Sequence, residues 1–99
     1  MNFSTHNDFF LPGSPLKFTL QPKGGERVLS FDSSQSECPV PFQSAQAALG
    51  ELLAHRTDRI EMINHTEPMR LLNRLDERVG FEVQELPDGR FKIHFFLKK

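Results

Sequence analysis

The sequence predicts an α+β protein, a two-layer α/β sandwich in which a mixed sheet of about four to five strands carries two helices on one face. Three observations predict it. Apolar residues alternate with polar ones near both ends of the chain. Between them the apolar spacing widens to about 3.6 residues, and Gly- and Pro-containing turns separate the segments. At 99 residues the chain can bury one hydrophobic core but not two, and ten Phe supply its bulk in the absence of Trp and Tyr.

Residues 1–14 mix Asn, Ser, Asp, Pro and Gly around Phe3, Phe9, Phe10 and Leu11 with no sustained period. They read as an irregular arm that docks through its Phe residues, ahead of a single domain over 15–99. From Leu16 to Gln21 the pattern alternates, with Leu16, Phe18 and Leu20 on one side, as a half-buried strand requires. Pro22-Lys23-Gly24-Gly25 breaks it, and Arg27 to Asp32 forms the second strand of a hairpin. Phe42, Ala45, Leu49, Leu52 and Leu53 then share one face of a helix over roughly 40–55. Arg59 to Asn64, with Ile60, Met62 and Ile63, suits a short central strand. Thr66 is placed to cap a second helix with Pro68 in its first turn, Met69, Leu72, Leu75 and Val79 as its apolar stripe, and Gly80 as its stop. A terminal hairpin follows, Phe81 and Val83 alternating before the turn Pro87-Asp88-Gly89 and Phe91, Ile93, Phe95 and Leu97 after it.

Composition excludes several classes of function. The formal net charge is -1 with acids and bases interspersed, so no basic footprint for phosphates stands out and no direct nucleic-acid contact is expected. No apolar run approaches the roughly 20 residues that span a bilayer, and Met1 to His6 lacks the basic flank and apolar stretch of a secretory signal. A cytoplasmic monomer without membrane attachment is the expectation. A single cysteine forms no internal disulfide, and an unpaired thiol suits a reducing compartment.

That cysteine, in Cys38-Pro39-Val40-Pro41, is the residue with a specific chemistry to offer. A thiol just before a helix meets N–H groups without backbone partners and the positive end of the dipole, both of which favour thiolate. Pro39 suits the first helical position and Pro41 stiffens the same turn. A thiolate held there can attack a disulfide or persulfide sulfur and pass sulfur on by the same exchange. Read from these residues alone, an inert small side chain at a helix start is the other possibility.

His6, His55, His65 and His94 have no zinc-ligand spacing with Cys38, so neither a metal nor another cofactor is required. His65, between a strand and a helix, is the one that the fold can bring near Cys38. Arg70, Arg74 and Arg78 recur every fourth residue and form a basic stripe on the second helix, either a solvated face supported by Glu67 and Asp76 or a partner contact.

Phe31-Asp32 followed by Cys38-Pro39-Val40-Pro41 resembles the opening of the TusA/SirA/YedF-like sulfur carrier family, in which a hydrophobic residue and Asp precede a Cys-Pro-x-Pro helix start at this spacing. The resemblance covers roughly residues 27–98. It implies a compact α/β sandwich whose cysteine accepts a persulfide from a sulfur-donor protein such as a cysteine desulfurase and hands it to a downstream acceptor protein. Cys38, Pro39, Pro41 and Asp32 are the matched positions. Where the family usually has Gly-Leu before the motif, this chain has Gln35-Ser36, and the acidic residues that many members carry after the central strand are replaced by Asn64-His65-Thr66-Glu67. His65-Thr66-Glu67-Pro68 with Gly80-Phe81-Glu82-Val83 is also similar to a sister family of uncharacterised TusA-like domains, many without the cysteine. The expectation is therefore a sulfurtransferase-like carrier acting through Cys38. Its alternative is a non-catalytic module of the same fold, making protein contacts through His65, Arg70, Arg74 and Arg78.

Overall fold

Phe18, Leu29, Phe31, Ile60, Met62, Ile93 and Phe95 alternate with outward-facing neighbours along four strands, and none is more than 4% exposed. The computed structural model describes residues 7–37 and 39–98, Asn7 by its backbone only. In chain order the elements are β1 (Asn7–Phe10), β2 (Lys17–Lys23), β3 (Glu26–Asp32), α1 (Val40–Leu53), β4 (Arg59–Asn64), α2 (Met69–Leu72), β5 (Val79–Glu85) and β6 (Phe91–Leu97). The strands form one six-stranded sheet in the order β1-β2-β3-β4-β6-β5. Every neighbouring pair is antiparallel except β3 and β4, which run parallel and are joined across the sheet by α1.

Register decides which face is buried. Leu29 sits opposite Ile60 and Phe31 opposite Met62, while Met62 faces Ile93 and Ile60 faces Phe95. These side chains share one face, where Ala45, Ala48, Leu49 and Leu52 of α1 and Leu71 and Leu72 of α2 close over them in a single cluster. Phe18 joins through Phe31, their ring centroids 5.0 Å apart. Each large apolar side chain buried this way is worth about 1.5–3 kcal/mol, which is why one face of the sheet holds both helices. The chain is thus the expected α+β two-layer sandwich, with six strands rather than four to five.

Local chemistry sets the turns and accounts for the departures. Gly24 and Gly25, at φ 56° and 83°, close the β2–β3 hairpin as a two-residue loop in which both central residues need positive φ. Residues 7–10, read as irregular, form β1 because Phe9 pairs opposite Phe18 and packs on it. The first helix ends at Leu53 rather than 55. His55 takes the left-handed conformation (φ 61°), while its N–H bonds the Leu52 carbonyl and the Arg56 N–H bonds that of Glu51, a Schellman ending without glycine.

The second helix departs most from expectation. It is the single turn Met69–Leu72, its N-cap is Pro68 with no side-chain cap, and Thr66 does not cap it. Adjacent Leu71 and Leu72 anchor it, whereas Met69 is 52% exposed. Asp76 ends any continuation by accepting from the Arg78 N–H at 2.9 Å, a local bond that competes with the helical ladder. Val79 and Gly80 then enter β5 opposite Leu97 and Phe96. Gly80 is thus no helix stop: a Cβ there would lie 2.6 Å from the Phe96 ring, so the position accommodates a cross-strand aromatic.

Candidate functional site

Parallel strands end side by side, and the loops leaving β3 and β4 therefore meet at one edge of the sheet, the usual place for a site in α/β architecture. Two buried polar residues fasten these loops. Ser33 donates its backbone N–H to the Ile63 carbonyl at 2.8 Å, and its hydroxyl lies 2.9 Å from both that carbonyl and Asn64 Oδ1. Asn64 Nδ2 donates to the Thr66 carbonyl at 3.0 Å, which leaves Oδ1 turned toward Ser33. Both residues are at most 3% exposed, so each bond replaces water that cannot reach them. Asp32 shapes the first loop from its start, accepting the Ser34 N–H at 2.8 Å and the Ser34 hydroxyl through Oδ1. Its Oδ2 meets Arg90 Nη1 at 3.3 Å.

Between these loops and the starts of the two helices lies a cleft of about 1280 Å³. One wall is formed by residues 34–37 with Pro39, Pro41 and Phe42. The other is formed by residues 64–71 with Arg74. Glu37 and Pro39, the chain neighbours of position 38, both line it; Cys38 itself lies outside the described residues. Pro39 is the N-cap of α1, one position before the first helical position expected of it, and Pro41 lies in the first turn. Neither proline has an N–H, and Val40 donates its own to the Glu37 carbonyl at 2.9 Å. The start of α1 therefore has fewer free donors for an anion than an ordinary helix N-terminus.

The expected contact residues separate in space. His65, Arg70 and Arg74 line the cleft, but Arg78 does not. The basic stripe does not form, because α2 stops at Leu72 and leaves Arg74 and Arg78 in the turns that follow. Arg78 is bound to Asp76 through Nε and Nη2, both at 2.9 Å, and those bonds hold the Asp76 carboxyl at a pKa of about 2. His55 closes α1, and His94 lies on the helix-free face with Nδ1 3.8 Å from Glu61. Neither lines the cleft. Among the described residues no group of three or more His, Cys, Asp or Glu side chains is placed to hold a metal ion. Likewise, no helix among them is long and apolar enough to cross a membrane.

Sequence reasoning missed Ser33 and Asn64, the two residues that fix the loops. Asn64 left a trace: it follows Ile60 and Met62 at the inward positions of β4, so a polar side chain there had to find a buried partner. Ser33 left none, since a serine after Asp32 is equally at home in an exposed turn.

Fold and cleft together define a two-layer α/β sandwich with an open cleft at the ends of its parallel strand pair. Comparison with protein-family models, with curated proteins and with solved structures gave no match.

Proposed function

We propose that the chain is a sulfur carrier, a sulfurtransferase-like protein in which Cys38 receives a persulfide sulfur from a donor protein and relays it to an acceptor protein. The observation that carries this reading is the cleft whose wall includes both chain neighbours of Cys38 and whose opposite wall presents His65, Arg70 and Arg74. The resemblance of Asp32 and Cys38-Pro39-Val40-Pro41 to the TusA-like motif supplies the chemistry.

In the transfer, the Cys38 thiolate attacks the terminal sulfur of the donor's cysteine persulfide. The donor S–S bond breaks as a new S–S bond forms on Cys38, and the donor cysteine leaves as thiolate. No external oxidant or reductant is consumed. The protein's part is to raise the thiolate fraction. The start of α1 offers few free N–H groups, and the guanidinium groups of Arg70 and Arg74 that line the same cleft add positive charge, which favours thiolate. Asp32, Ser33 and Asn64 keep the loops in register.

The test is intact mass after incubation with a cysteine desulfurase and cysteine. A gain of one sulfur, removed by reductant and absent in Cys38→Ser, is the expected result. Absence of any gain with several desulfurases and sulfurtransferases as donors would overturn the carrier reading in favour of a module that acts by contact alone.

A further inference from the structure

Arginine pairing in this molecule is uneven. Arg27, Arg56, Arg59, Arg78 and Arg90 each have a carboxylate partner, namely Asp58, Glu51, Glu26, Asp76 and, for Arg90, Asp32 with Asp88. Arg70 and Arg74 have none among the described residues, both are exposed, and both line the same cleft. Apolar surface lies beside them: Met69 is 52% exposed, and Leu71 and Phe42 contribute to the lining. Glu37 stands on the opposite wall and Glu67 just before α2. The α2 side thus offers two unpaired guanidinium groups and apolar surface with one carboxylate, Glu67, at its start, while the wall leading into α1 carries an acid.

Size narrows the occupant. About 1280 Å³ exceeds the roughly 300–1,000 Å³ typical of small-molecule sites, and the cleft runs along two loops rather than into the core. Unpaired guanidinium groups beside exposed apolar side chains suit carboxylates next to an apolar residue, and Glu37 opposes the reverse placement. We propose that the cleft docks a short acidic peptide segment with an apolar residue at its centre, presented by a partner protein. Its carboxylates pair with Arg70 and Arg74, and its apolar side chain covers Met69 and Phe42. The proposal rests on the carrier reading only for the partner's identity, which there is the sulfur donor or acceptor.

The test uses the full chain and a fluorescein-labelled hexapeptide, Asp-Glu-Leu-Phe-Glu-Asp, followed by anisotropy. Its amide counterpart, Asn-Gln-Leu-Phe-Gln-Asn, is the control. The acidic peptide is expected to bind about tenfold more tightly than the amide peptide, and the double variant Arg70→Gln/Arg74→Gln to erase that difference. Arg78→Gln, outside the cleft lining, is expected to leave the Kd unchanged. Equal binding of the two peptides, no binding of the acidic one, or an equal loss in Arg78→Gln overturns the proposal. Persulfide loading of the same proteins separates the two readings. Peptide binding without loading removes the carrier function and keeps the docking site, and loading without peptide binding does the reverse.

Discussion

The two ends of the β3–α1–β4 unit use the same side chain for opposite purposes. Where β3 and β4 begin, Arg27 donates to both Asp58 carboxylate oxygens at 3.2 Å and to the His55 carbonyl at 2.8 Å. There the buried Thr57 hydroxyl donates to the Arg27 carbonyl at 2.7 Å, and Arg56 meets Glu51 at 2.6 Å. The chain leaving α1 is thereby bound to the start of β3. Where the same strands end, buried uncharged Ser33 and Asn64 fasten the loops, Arg90 pairs with Asp32, and the guanidinium groups of Arg70 and Arg74 remain unengaged among the described residues. Charge spent on internal pairing closes one end; at the other a buried neutral pair does most of the fastening and two guanidinium groups stay unpaired among the described residues.

Three substitutions break or sharpen that contrast. Asn64→Ala is expected to have the largest effect, about 2 kcal/mol of stability, because it removes the bonds that tie Ser33 and Thr66 together through a side chain that is 3% exposed. Urea unfolding measures it, and a loss no greater than that of an exposed alanine substitution would show that the loops are held by something else. Arg27→Gln is expected to lower the urea midpoint, since its head group bonds both a carboxylate and a carbonyl. Arg74→Gln should stay within about 0.5 kcal/mol of wild type. Equal midpoints for the two variants would erase the distinction between the ends.

The smallest effect is pH-dependent. The Arg27 side chain and backbone hydrogen bonds hold the Asp58 carboxyl below its ordinary 3.8. Being depressed in the folded state, Asp58 contributes stability that is complete above that ordinary value and is lost as the pH falls through the lowered one. Asp58→Asn should therefore flatten part of the acid-induced fall in midpoint between about pH 5 and pH 2, and an unchanged slope would assign that fall to other carboxylates.

Legibility in the sequence followed the period of the burial pattern. The strands and α1 repeat their apolar residues often enough to be read, and Arg59–Asn64 was placed to the residue. The second helix misled because Met69, Leu72, Leu75 and Val79 are spaced as a helical stripe. Long-range pairing of Val79 with Leu97 outweighs that spacing, and Asp76 supplies a competing local bond. With the helix went the stripe, so Arg74 lines the cleft although the helical spacing that singled it out does not form. Residues 7–10 were unreadable as a strand because four residues show no period, and what makes β1 is the pre-existing edge of β2. At the site, Pro39, Pro41 and His65 were visible from the motif and its surroundings. The cleft was not, since it depends on two loops distant in sequence meeting at the ends of parallel strands.

The central strand also dictates an order of assembly. β1 to β3 form a meander and β5 with β6 a hairpin, each closed by a connection within the same stretch of chain. β4 pairs with Leu29 and Phe31 on one side and with Ile93 and Phe95 on the other, so its pairings demand the longest loop closures of the sheet. The two local halves are therefore expected to appear first, with β4 as the late joint between them. Because the cleft opens where β4 ends, it exists only once that joint is made, and the peptide segment proposed for it would read the completed fold rather than either half.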